Sequence, residues 1–195
     1  SLLEEAKREK VDGVVLNLTR NGGGLLDEAV KISGLFINKG GVVATKDATG
    51  SKQILSDQDD GVVYKGPLVV LISRMSASAS EILAGALQDY HRGLVVGSDH
   101  TFGKGSVQAV VSLPPGLGAM KVTTGMFFVP GGKSTQHSGV SADVVLPPVY
   151  ALDDLKPGHS LAGPAIIEAE TTTVLVADGD RVTVNALGWL DITLR

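Results

Sequence analysis

The chain has 195 residues, 43% hydrophobic and 19% charged, enough for one sizeable domain or for one domain with a small appendage. A net charge of −4 with no Lys/Arg-rich run speaks against a nucleic-acid platform, and zero Cys excludes disulfides, thiol catalysis and cysteine metal sites while fitting either redox compartment. No apolar run reaches the roughly 18–20 residues that span a bilayer, so no membrane span is expected, and the charged opening SLLEEAKREK is no signal peptide.

Residues 2–10 read as a helix end. The β-branched run VDGVVLNL (11–18) predicts a buried strand. It feeds the turn TRNGGG (19–24), after which Leu25, Leu26, Ala29, Val30, Ile32, Leu35 and Phe36 follow a helical period. A glycine turn opening a helix leaves backbone N–H groups free, a natural place for an anion. The pattern GxxxxGK[ST] is absent, so no nucleotide loop is expected, and a plain tight turn is the alternative. Residues 42–46 predict a strand with a polar hairpin tip at 47–50. The acidic stretch SDQDDG (56–61) lacks EF-hand spacing and reads as a solvated loop.

PLVVLIS (67–73) predicts a second buried strand, followed by a helix that starts within 76–80 and carries Ile82, Leu83, Ala86, Leu87 and Tyr90 on one face. GLVVG (93–97) then makes a βαβ unit, and hence a parallel sheet. Residues 107–111, 120–129 and 142–146 continue the strand pattern. Beyond Pro147-Pro148 the helical signal fades, and residues 171–176 and 181–184 predict short strands around a turn at 178–180. Residues 148–195 therefore read as a small β-rich appendage to a core at 1–147.

The stretch from Met75 to Gln108 holds the candidate chemistry. It opens with alternating serines, Ser76, Ser78 and Ser80, and closes on Gly103-Lys104-Gly105. A serine hydroxyl is a poor nucleophile until a base takes its proton. His91, His100, His137 and His159 sit in no GxSxG-type motif. Lysine is the other base, provided burial brings such a side chain from its ordinary value near 10.4 toward about 7–8. Lys104 has Phe102 nearby and glycines on both sides that permit close backbone approach. The plainer reading makes the three serines alternative helix caps and Lys104 a surface cation.

The segments MSASASEILAGALQDYHRGLVVG and TFGKGSVQ resemble the C-terminal processing peptidases, also called tail-specific proteases, which are serine peptidases with a Ser-Lys dyad. LNLTRNGGGLLDEAVKISGLFI, SDQDDGVVYKGPLVVL and KVTTGMFFVPGGKSTQHSGVSADVVLP resemble further segments of that family, so the likeness covers about residues 8–147. It implies an α/β, crotonase-like core with a mostly parallel sheet. It also implies Ser78 as nucleophile, Lys104 as base, Gln108 as the residue orienting that lysine, and Asp89 in support. The N–H groups of Ala79 and of Gly24 or Gly23 would form an oxyanion hole. It implies neither cofactor nor metal, protein or peptide substrates with apolar C-termini, and a periplasmic or otherwise extracytoplasmic location. Asn17 and Thr19 stand where the family pattern has Asp and Arg, and the loop at 98–100 is one residue longer than in that pattern. The family's PDZ-like domain and a further strand would precede residue 1. A peptidase-like binding module with impaired catalysis is the alternative function.

The tail, VYALDDLKPGHSLAGPAIIEAETTTVLVADGDRVTVNALGWLDI (149–192), resembles the C-terminal segment of hydantoinase/oxoprolinase-type subunits, and no active site is carried over from it.

Overall fold

The computed structural model describes residues 2–195. Two compact units divide the chain, Ser1–Val145 and Leu146–Arg195. The first contains α1 (Leu2–Arg8), β1 (Val14–Asn17), α2 (Leu26–Gly34), β2 (Gly40–Asp47), β3 (Lys52–Asp57), β4 (Leu68–Ile72), α3 (Ala79–Asp89), β5 (Leu94–Gly97), β6 (Ser106–Ser112), β7 (Ala119–Phe128) and β8 (Val144–Val145).

Four of these strands form a parallel sheet in the order β1-β4-β5-β8. This is the α/β core with a parallel sheet that the βαβ pattern predicts. The other four form a second sheet, β3-β2-β7-β6, which is antiparallel throughout. The reason is connection length. Residues 48–51 join β2 to β3 and residues 113–118 join β6 to β7, too short for a parallel crossover. The expectation of a mostly parallel sheet therefore describes only half of these strands.

One core joins both sheets to α2 and α3. It takes Val70, Ile72 and Val95 from the parallel sheet, Val42 and Phe127 from the antiparallel one, and Ile82, Leu83 and Leu87 from α3. Every residue of α3 from Ala79 to Leu87 is buried. Its small residues make this possible: a Cβ at Gly85 would lie 2.7 Å from Val129 Cγ1. β1 departs from the fully buried strand expected for it. Its burial alternates, and Val15 is 61% exposed, as is appropriate to a sheet covered on one face.

The acidic stretch 56–61 is exposed over residues 58–61, as a solvated loop would be, and departs from that expectation at Asp57. Asp57 ends β3 as a buried carboxylate and accepts the N–H groups of Lys39 (3.3 Å) and Asp59 (3.4 Å). Gly34 packs so close that a Cβ there would meet the Asp57 carboxylate at 2.5 Å.

The second unit has β9 (Val149–Ala151), a 3-10 turn at Leu152–Asp154, β10 (Ser160–Ala162), β11 (Ala165–Glu168), β12 (Thr173–Val176), β13 (Arg181–Val184) and β14 (Leu190–Thr193). These form two three-stranded sheets, β12-β11-β9 and β10-β13-β14, around a small core of Ala165, Ile167, Val176 and Val182.

Leu87 is fully buried at the centre of the first unit's core. Leu87→Ala is expected to lower stability by about 2–5 kcal/mol. The measurement is an earlier urea midpoint for loss of the helical circular-dichroism band, since all α-helices lie in this unit.

Candidate active site

The three serines before α3 occupy different environments. Ser76 is fully buried and spent on structure: its hydroxyl donates to the Leu18 carbonyl (2.8 Å) and accepts the Ser73 N–H (2.9 Å). Ser80 is 3% exposed within the first helical turn. Ser78 is the N-cap, half-buried, with φ 58° and ψ −117°. A non-glycine residue at positive φ costs on the order of 1–3 kcal/mol and persists only when its surroundings impose it.

Two contacts impose it. The Ala77 N–H donates to the Asn21 carbonyl (3.1 Å), stitching this loop to the glycine turn. The Ser78 N–H donates to Glu81 Oε2 (2.7 Å), the reciprocal arm of a capping box. Gly23 completes the fit. At φ +89° it lies so close that a Cβ there would stand 2.4 Å from the Ala77 oxygen and 2.9 Å from Ser78 Cβ.

Glu81 has 0% exposure, and its carboxylate is the junction of the site. Besides Ser78, it accepts the N–H of Lys104 at Oε2 (2.9 Å), and the N–H of Gly103 (2.7 Å) and the Thr101 hydroxyl at Oε1. Four donors converge on a buried anion near a helix N-terminus, which offsets the cost of removing it from water. The consequence is geometric: the Ser78 backbone and the Lys104 backbone are bound to the same oxygen.

The glycines beside Lys104 have a mechanical role. A Cβ at Gly103 (φ +94°) would meet the His137 carbonyl at 2.9 Å, and one at Gly105 would meet the Gln136 nitrogen at 2.6 Å. Residues 135–137 form an outer clasp over the loop. The His137 N–H donates to the Gly103 carbonyl (2.8 Å), Gln136 Oε1 accepts the Gly105 N–H (2.9 Å), and the Thr135 hydroxyl donates to the Lys104 carbonyl (3.3 Å). Phe102 does not shield the lysine, because its ring is 62% exposed. Its backbone N–H is what holds the loop, donating to the Ser76 carbonyl at 2.9 Å.

A cavity of about 360 Å³ brings Ser78, Ala79, Lys104, Gln108 and Gly24 together. The Lys104 Nζ has no hydrogen-bond or ion-pair partner among the described residues. Gln108 donates its amide to Thr123 Oγ1 (3.5 Å) rather than engaging Lys104. The N–H groups of Ala79 and Gly24 have no partner among the described residues, whereas the Gly23 N–H is used by Asn21 Oδ1 (2.9 Å). Of Gly23 and Gly24, the second is thus the one with an available N–H. None of the four histidines lines the cavity.

Asp89 does not line it either. It closes the far end of α3, about 16 Å along the axis from Ser78. There Oδ2 accepts the Gly131 N–H (2.7 Å). That turn leads into the clasp at 135–137, so Asp89 reaches the lysine loop only through the backbone it anchors. Asn17 and Thr19 answer each other: Asn17 Oδ1 accepts both the N–H (3.0 Å) and the hydroxyl (2.8 Å) of Thr19. Among the described residues no cluster of three or more His, Asp or Glu side chains is placed to hold a metal ion.

Glu81, Thr101 and the clasp residues are absent from the motif-based reading. The Ser-x-x-Glu spacing of Ser78 and Glu81 was the available signal, a capping box in which the glutamate sits inside the fold. Glu81→Gln replaces an acceptor oxygen with a donor facing other donors, and is expected to cost about 3 kcal/mol. An unchanged urea midpoint would show that the carboxylate does not clamp the site. Gly23→Ala is expected to displace the Ala77–Ala79 backbone, read as lost reactivity of Ser78 toward an acylating probe in protein that remains folded.

The chain's likeness to known proteins follows the same residues. Peptidase family S41 matches residues 1–146, and the hydantoinase/oxoprolinase C-terminal domain matches residues 141–192. The tail-specific protease of Haemophilus influenzae is 44% identical over 155 residues, covering 76% of this chain and 22% of that protein. The carboxy-terminal-processing protease of Bartonella bacilliformis is 41% identical over 157 residues, covering 78% and 36%. Among solved structures, the photosystem II D1 C-terminal processing protease superposes with a TM-score of 0.66 at 41% identity, covering 73% of this chain and 36% of that one. The chain thus spans about a fifth to a third of the length of the curated relatives it matches. The strand–glycine turn–helix at residues 14–34, the strained Ser78 and the glycine-flanked Lys104 all fall within the matched segment. The chain belongs to peptidase family S41.

Proposed function

We propose that this chain carries the catalytic core of a serine endopeptidase that cleaves proteins at or near their C-terminal tails through a Ser78–Lys104 dyad. The observation that carries the reading is the single cavity holding the Ser78 hydroxyl, the unpaired Lys104 amine and two free N–H groups. Residues 1–147 are the peptidase core, and residues 148–195 an appendage with no part in the chemistry.

Lys104 in its neutral form takes the proton of the Ser78 hydroxyl as Oγ attacks a peptide carbonyl. The carbonyl oxygen becomes an oxyanion, which the Ala79 and Gly24 N–H groups stabilise. Collapse of the tetrahedral intermediate breaks the C–N bond, and the protonated lysine returns its proton to the leaving amine. Water then attacks the acyl-enzyme with Lys104 again as base, releasing the new carboxylate and restoring Ser78. Gln108 shares the cavity with the lysine but is held by Thr123, and Asp89 acts at a distance by anchoring the turn that leads into the clasp. No cofactor enters this scheme. The substrates are proteins or peptides with apolar C-termini, and the compartment is extracytoplasmic. Two relatives are named as chloroplastic processing peptidases, and no helix among the described residues is long and apolar enough to cross a membrane.

A binding module with impaired catalysis is the rival reading. The Asn17–Thr19 pairing weighs against it, since the departures from the family pattern satisfy each other locally. The test is cleavage of an unfolded protein with an apolar C-terminus, followed by mass analysis of the fragments. Ser78→Ala and Lys104→Arg are each expected to lower the rate by about a thousandfold or more; the arginine retains charge and length but cannot act as a base. Wild-type protein that binds the substrate without cutting it would favour the module.

A further inference from the structure

We propose that Lys121 is a specificity-determining cation of this cavity, binding a carboxylate of the substrate peptide; the inference rests on the peptidase reading above. Lys121 lies on β7 and lines the same cavity as Ser78 and Lys104. The strand register explains how. In the β6–β7 ladder Gln108 is opposite Thr123 and Val110 is opposite Lys121. Residues two apart share a sheet face, so Lys121 stands on the face that carries Thr123, one step further along the strand.

Charge makes this position selective. No Asp or Glu lines the cavity, and Lys121 is exposed, with no ion pair among the described residues. A lysine base works only when neutral. Apart from Lys104, Lys121 is the sole ionisable side chain of the lining. The other walls are apolar, with Leu25, Leu26, Val107 and Phe127. An apolar peptide segment bearing one carboxylate complements such a surface, and that carboxylate supplies the counter-ion the protein lacks. The ordinary alternative is a solvated lysine on a strand surface, which makes no distinction between charged and neutral peptides. Two sources share the chemistry: the α-carboxylate of a chain end and the side chain of an acidic residue.

The experiment uses the Ser78→Ala chain, which binds without turnover, and short N-acetylated apolar peptides titrated by calorimetry. One pair differs only in a free or amidated C-terminus, the other only in an internal Glu or Gln. The carboxylate member of at least one pair is expected to bind about three- to tenfold tighter at low salt, and the pair that responds identifies the source. The preference should shrink as salt is raised, disappear in Ser78→Ala/Lys121→Met and persist in Ser78→Ala/Lys121→Arg. Equal affinities within both pairs, a preference that survives Lys121→Met, or no peptide binding would overturn the proposal. Phosphonylation of Ser78 in the wild-type chain by a serine-directed fluorophosphonate, which forms the Oγ–P bond and expels fluoride, reports separately on the peptidase reading. Phosphonylation without a carboxylate preference removes the role of Lys121 alone.

Discussion

One buried carboxylate sets the geometry on which the rest of this site depends. Glu81 sits inside the core with no access to solvent, and an anion there survives only if the fold brings it donors. The donors it receives are the backbone N–H groups of Ser78, Gly103 and Lys104 and the hydroxyl of Thr101. Two segments some twenty residues apart in the chain thereby become one rigid piece. The strained φ of Ser78 is the local cost of that arrangement, offset by the bond from its N–H to the carboxylate.

Close backbone approach is the second constraint, and it explains where glycine is indispensable. Gly23 lies against the backbone of residues 77–79, and Gly103 and Gly105 lie against that of residues 136–137. A side chain at any of the three would push apart surfaces that must touch. The same packing leaves the N–H groups of Ala79 and Gly24 unspent, while Asn21 occupies that of Gly23. A pair of free donors thus stands beside a half-buried serine, and the proposed acyl-transfer chemistry would draw on the same packing that shapes the turn.

Much of this was legible in the sequence, for physical reasons. The βαβ pattern, the helix after the serines and the two strands around the turn at 178–180 rest on hydrophobic period and turn chemistry, which are local. The choice of Ser78 over Ser76 and Ser80 came from resemblance; in the structure Ser76 is spent on the Leu18 carbonyl and Ser80 is buried in the helix, while Ser78 is half-buried at the N-cap. What stayed hidden was set by long-range contacts. Glu81 reads as an ordinary first-turn acid until Thr101 and Gly103 arrive from twenty residues away. Phe102, apolar and beside the lysine, reads as a shield, yet its ring faces solvent while its N–H does the holding. Asp57 reads as part of a polar loop, and only the approach of Gly34 and Lys39 shows it to be interior. The antiparallel second sheet follows from the short connections at 48–51 and 113–118, which period alone does not reveal.

The clamp itself can be measured by native-state amide hydrogen exchange at single-residue resolution. If the Glu81 carboxylate unites the Ser78 loop and the Lys104 loop, the amides of Ser78, Gly103 and Lys104 exchange slowly and through one common opening, and all three accelerate together in Glu81→Gln. Fast exchange of Gly103 and Lys104 in the wild-type protein, independent of Ser78, would contradict the account.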